Sequence, residues 1–169
     1  MMSKTISSLA ALGGLLLLSA CAATGSHLKP GVATLPEIIA DMGEPAMRWK
    51  ETDGREQLAY PRGPAGVHTY MVFVGADGRL QRIDQVLDEA HFAQIQIGKS
   101  SKEDLLRLLG PSYPGWTIEN KYLNELVWEW NYLDRTNQVS RLDVFFDTAT
   151  GLVRSTWQRT VESMFVRNR

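Results

Sequence analysis

Cysteine is almost absent from this chain: one residue in 169, Cys21. A lone cysteine excludes a disulfide within the chain and any metal site built from several thiolates, so the fold must hold by its core. Charge of one sign is lacking too. Lys+Arg at 18 against Asp+Glu at 19 gives a formal net charge of −1, dispersed along the chain. Such a chain has no basic field to attract nucleic acid, and its charges read as a solvated, mixed surface. Long apolar runs are also missing. The longest, Leu9 to Leu18, is ten residues, where a membrane-spanning helix needs roughly 20. The three histidines, His27, His68 and His91, show no metal-ligand spacing. No serine sits in a nucleophile elbow. The stretch "PRGPAGVH" lacks the Lys-Ser/Thr ending of a phosphate loop and reads as a hairpin loop. Asp84, Asp88 and Glu89 read as dispersed surface charge rather than a catalytic dyad. No metal, no cofactor and no enzymatic activity is expected.

The amino terminus is more informative. Lys4 is its only charge, the ten-residue apolar run follows, and Leu18-Ser19-Ala20-Cys21 closes it. This is the layout of a secretory signal, with small residues before the cut. The closing tetrapeptide resembles the lipobox of bacterial lipoproteins. That resemblance implies cleavage before Cys21, a diacylglyceryl thioether on its sulfur and, usually, an acylated amino group. Two or three acyl chains hold a protein firmly, whereas one holds marginally. Alanine rather than aspartate at position 22 implies passage to the outer membrane. Removing residues 1–20 leaves 149, and with Cys21 lipidated no free thiol remains to act as a nucleophile.

After a tether over residues 21–30, the chain repeats itself. "GVATLPEIIADMGEP", from Gly31, and "GKSSKEDLLRLLGPS", from Gly98, agree in kind at an offset of 67. Thr34 and Ser101 are candidate helix caps, with Glu37 and Asp104 three residues on. Ile38, Ile39 and Met42 match Leu105, Leu106 and Leu109 as one apolar helical face. Gly43 and Gly110 are expected to stop each helix in a left-handed turn. Trp49 matches Trp116 at the same offset.

Each helix is too short to stand alone and must lie on a sheet. "REQLAY", "VHTYMVFV" and "RLQRIDQVL" are the strands of the first half; "LVWEWNYL", "SRLDVFFD" and "GLVRSTWQRTV" are those of the second. Phe73 aligns with Phe146 and Gly78 with Gly151, at an offset of 73. "EAHFAQIQIG" bridges the halves, helical at first and extended near Ile97. Alternation places Leu142, Val144 and Phe146 on a core-facing side, with Arg141, Asp143, Phe145 and Asp147 opposite. Trp128, Trp130 and Tyr132 share a face, and periodicity leaves open whether they pack inward. As core they supply apolar area; as an exposed patch they are the candidate partner-binding residues, since Trp and Tyr dominate binding hot spots.

The fold class is therefore α+β: two tandem units, each a helix on one face of three antiparallel strands, over residues 31–94 and 95–160, with a tail at 161–169. Of the tail's arginines, Arg159, Arg167 and Arg169, a solvated end is the default reading. The Gly-helix-Gly-Pro opening followed by strands resembles the SmpA/OmlA (BamE-like) family of outer-membrane lipoproteins. The tandem arrangement is similar to the beta-lactamase inhibitor protein. The family resemblance implies a periplasm-facing protein–protein interaction module on the outer membrane, supporting β-barrel assembly or envelope integrity, with an envelope protein as partner. The second resemblance implies an inhibitor of an envelope or secreted enzyme.

Overall fold

A computed structural model of the chain describes residues 24–63, 66–112, 117–120 and 125–161. Cys21, Ala22, Trp116, Arg167 and Arg169 lie outside them. In chain order the elements are α1 (Leu35–Met42), β1 (Met47–Lys50), β2 (Glu56–Arg62), β3 (His68–Val74), β4 (Leu80–Gln85), α2 (Glu89–Phe92), α3 (Lys102–Leu109), β5 (Ile118–Asn120), β6 (Glu125–Leu133), β7 (Val139–Asp147) and β8 (Val153–Thr160). The protein is α+β, with two four-stranded antiparallel sheets ordered β1-β2-β3-β4 and β5-β6-β7-β8. Three strands per sheet were expected. The additional ones, β1 and β5, have four and three residues, shorter than the runs that mark a strand in sequence.

Both long helices start as their caps predict. The Glu37 carboxylate accepts the Thr34 backbone N–H and hydroxyl, each at 2.8 Å. The Asp104 carboxylate accepts the Ser101 N–H at 2.8 Å, and the Ser101 hydroxyl accepts the Asp104 N–H at 3.2 Å. These backbone bonds hold both carboxyls below the ordinary range. The helix stops differ from expectation. Gly43 (φ 77°, ψ −171°) and Gly110 (φ 76°, ψ −174°) are not in the left-handed helical region. They occupy the extended region at positive φ that is open essentially to glycine alone.

The two units are stitched alike. Gly31 N–H donates to the Leu80 carbonyl and Leu80 N–H to the Ala33 carbonyl, both at 2.8 Å. Gly98, Val153 and Ser100 repeat that pair of bonds, again at 2.8 Å. Each helix entry is thereby tied to the start of its unit's last strand. The register corrects one sequence alignment. Val74 pairs with Leu80 and Phe146 with Val153, so Phe73 corresponds to Phe145, not Phe146. The turn closed by Asp147 and Leu152 is one residue longer than that closed by Gly75 and Arg79. A slip of one residue exchanges faces. Phe146 is thus fully buried, whereas Phe73 lies on the opposite side of its sheet, with the Arg82 guanidinium 3.6 Å from its ring centre.

Two cores follow. The first joins Ile38 and Met42 of α1 to Leu58, Tyr60, Val72 and Val74. The second joins Leu105 and Leu109 of α3 to Trp130, Leu142, Val144 and Phe146. From Leu87 onward the chain packs with the second core; Phe92 of α2 meets Tyr132 edge-on at 4.9 Å. Near Ile97 it forms a turn rather than the expected extended segment.

Helix α3 also makes a contact that local patterning does not reveal. Its other side comes down on the back of the first sheet. Gln57 Nε2 donates to the Arg107 carbonyl at 2.6 Å, and Trp49 Nε1 donates to Glu103 Oε1 at 2.8 Å. Arg107 pairs with Glu51 at 2.6 Å, and its guanidinium lies 5.5 Å from the Trp49 ring centre. α1 lies on one face of the first sheet and α3 on the other, with the second sheet beyond α3 except where β3 and β6 approach each other directly. The expectation that each helix packs on one sheet face holds for α1; α3 is enclosed between two sheets.

Candidate functional site

The second sheet has an inner face under α3 and an outer face ending the stack. The aromatic triplet lies on the inner one. Trp130 and Tyr132 are 2% and 4% exposed. Trp130 Nε1 donates to the Gly110 carbonyl at 3.2 Å, and the Tyr132 hydroxyl donates to Gln158 Oε1 at 2.8 Å. Trp128 is half-buried, edge-on to Phe146 at 5.0 Å. Of the two readings left open for Trp128, Trp130 and Tyr132, the structure favours core over exposed patch, because they share a face with Leu142, Val144 and Phe146, which α3 covers.

The outer face carries a different set. Glu129, Asp143 and Trp157 stand opposite one another across β6, β7 and β8, and Asn131, Arg141 and Arg159 form the next row. Arg141 Nη1 lies 3.0 Å from Glu129 Oε2 and its Nε donates to Asn131 Oδ1 at 3.2 Å. Arg159 Nε pairs with Asp143 Oδ2 at 2.8 Å, and its Nη2 lies 3.5 Å from Glu129 Oε1. Both carboxylates are buried. Burial pushes the Glu129 carboxyl up; Arg141 pulls it back and the neighbouring Asp143 pushes it further. Beside this network Trp157 is 62% exposed and Ile118, opposite Val127, is 52% exposed.

Comparison with the first sheet shows how specialised this face is. In the shared register Ala59 and Met71 occupy the places of Glu129 and Asp143, and Val86 that of Arg159. Ala59, Met71 and Val86 form a buried apolar cluster on the side that receives α3. At the end of the stack the same positions hold ion pairs, the substitution expected where a repeat array must stop adding layers.

Protein-family models, curated proteins and solved structures give no match to this chain.

On the outer face each buried carboxylate is engaged by an arginine, an arrangement that fixes geometry rather than freeing a base. The remaining candidate groups are scattered. His27 meets Asp41 at 3.1 Å and His91 meets Asp88 at 2.8 Å, on separate elements. Asp84 pairs with Arg82 at 2.6 Å, Asp88 caps α2, and Glu89 pairs with Arg135. Among the described residues no three His, Cys, Asp or Glu side chains gather to hold a metal ion.

Trp157 and the ionic network escaped the sequence reading. The alternation of Glu129 and Asn131 with the aromatics, and of Arg141 and Asp143 with Leu142, marks one polar face. Only the register brings the four charges together. The raised Glu129 carboxyl gives a pH prediction. A raised folded-state value means that the native state holds the proton more tightly than the unfolded chain, so stability falls as pH rises from about 4.3 upward. Glu129→Gln keeps the shape and removes the ionisation. Its denaturation midpoint should gain on the parent's between pH 4 and 7, measured by urea titration at each pH. A gap that stays constant across that range would rule out burial as the source.

Proposed function

We propose that this protein is an outer-membrane lipoprotein, held by lipid on Cys21, whose two BamE-like units form a periplasm-facing protein–protein interaction module. Its field of action is outer-membrane β-barrel assembly or envelope integrity, and it carries out no catalysis. The observation that carries the reading is the tetrapeptide Leu18-Ser19-Ala20-Cys21 closing a short apolar run, with Ala22 after it. The outer face of the second sheet supports it. A mostly exposed Trp157 beside a buried, fully paired charge cluster has the composition of an interaction hot spot. A tandem of two helix-plus-sheet units also favours one alternative, a proteinaceous inhibitor of an envelope or secreted enzyme.

Crosslinking in cells tests both readings. A photo-reactive residue is placed at position 155, next to Trp157 on β8, and the crosslinked partner is identified by mass spectrometry. Enrichment of the barrel-assembly machine supports the first reading; one dominant soluble enzyme supports the second. Trp157→Ala should remove the crosslink while shifting stability by no more than about 0.5 kcal/mol, as for surface changes generally. An unchanged crosslink in that variant would dismiss this face as the contact.

A further inference from the structure

The chain folds onto its own body almost at once after Cys21. Leu28 N–H donates to the Gly25 carbonyl at 2.9 Å, and Leu28 packs against the first core. Gly25 is buried, and a Cβ there would lie 2.8 Å from Ile83 Cδ1 and 2.9 Å from Met42 Sδ. His27 meets Asp41 of α1 at 3.1 Å. Residues 24–30 therefore belong to the α1 side of the stack, and the leash from Cys21 ends at Gly25.

We propose that the first unit rests directly on the lipid surface, with its α1 side toward the headgroups, and that the outer face of the second sheet points away from the membrane. The inference rests on lipid attachment at Cys21. Four residues of fully extended chain reach at most about 14 Å, against about 35 Å for the ten-residue tether the sequence suggests. α1 covers one face of the first sheet and the second unit lies against the other, so the outer face of the second sheet is on the far side of the molecule from α1. The leash is too short for the body to turn over.

The surface beside the leash suits zwitterionic headgroups. Val32 is 62% exposed, and Arg79 reaches over to its carbonyl at 2.9 Å. A shallow hollow of about 540 Å³ beside it is lined by Lys29 and His27 on one hand and Glu37 and Asp41 on the other. One ammonium and two carboxylates are there together, with no basic cluster among the described residues of this hollow to demand an anionic lipid.

The test uses the full lipidated protein in phosphatidylethanolamine-containing vesicles that carry a headgroup quencher. Because lipid occupies Cys21, the only native cysteine, Val32→Cys and Trp157→Cys each introduce a unique site for a fluorophore. The label at position 32 should be strongly quenched and that at position 157 several-fold less. Inserting fifteen Gly/Ser residues after Ala23 should erase the difference. Equal quenching at the two positions in a protein whose Cys21 peptide carries the lipid mass overturns the orientation alone. An unmodified Cys21 peptide overturns the orientation and the anchoring together.

Discussion

Gly110→Ala should destabilise the protein by about 2 kcal/mol more than Gly43→Ala, although the two glycines are equivalent positions in the repeat. Their backbone angles agree within a few degrees, so both variants share the strain of a side chain in a region almost reserved for glycine, about 1–3 kcal/mol. They differ in what surrounds them. Around Gly43 nothing lies within 4 Å of an added Cβ; at Gly110 that atom would sit 2.8 Å from Thr69 Cγ2 and 3.5 Å from Ala59 Cβ. Thr69 is 1% exposed and β-branched, so its methyl cannot turn aside freely. Overpacking of this kind typically costs about 1–3 kcal/mol. Gly110 also supplies the carbonyl that receives Trp130 Nε1 at 3.2 Å. Urea unfolding of the two single variants reads the difference. Equal losses would mean that α3 does not press on the first sheet.

Trp130→Ala should be the most damaging aromatic substitution, at about 3–5 kcal/mol. The side chain is 2% exposed within the second core, and its removal leaves both a large void and the Gly110 carbonyl without its indole donor. Domains of this kind hold only about 5–15 kcal/mol in total, so the variant should be partly unfolded at 37 °C by circular dichroism. Trp157, two strands away on the opposite face and 62% exposed, provides the contrast, since its removal is expected to leave the melting curve nearly unchanged. A Trp130→Ala protein that melts like the parent would contradict the inward placement of the triplet.

The outcome at these tryptophans shows how far residue order carries. Thr34 with Glu37, and Ser101 with Asp104, announce the two helices, because capping is chemistry within three residues. The six long strands are legible from alternation and from the Asp-Gly and Asp-to-Gly turns that end at Gly78 and Gly151. The strands β1 and β5 are not, since three or four residues hold at most two periods. Around Trp49 the alternation runs over only four residues; its partners are Gln57 across the sheet and Glu103 on a helix 54 residues away. The one-residue growth of the second turn is likewise invisible to an alignment that matches Phe with Phe, yet it decides which phenylalanine is core.

Period and capping in the chain therefore determine two similar units of helix and antiparallel sheet, and the lone cysteine after a short apolar run determines where a lipid anchor would be. These are properties of neighbours along the chain. Only the tertiary structure decides that α3 is enclosed between two sheets, that Trp130 and Tyr132 face inward, and that Glu129, Asp143, Arg141 and Arg159 meet on an outer face beside Trp157. The reason is geometric. Alternation sorts side chains into two faces but does not say which face meets water, and that depends on which layer of the stack lies against it.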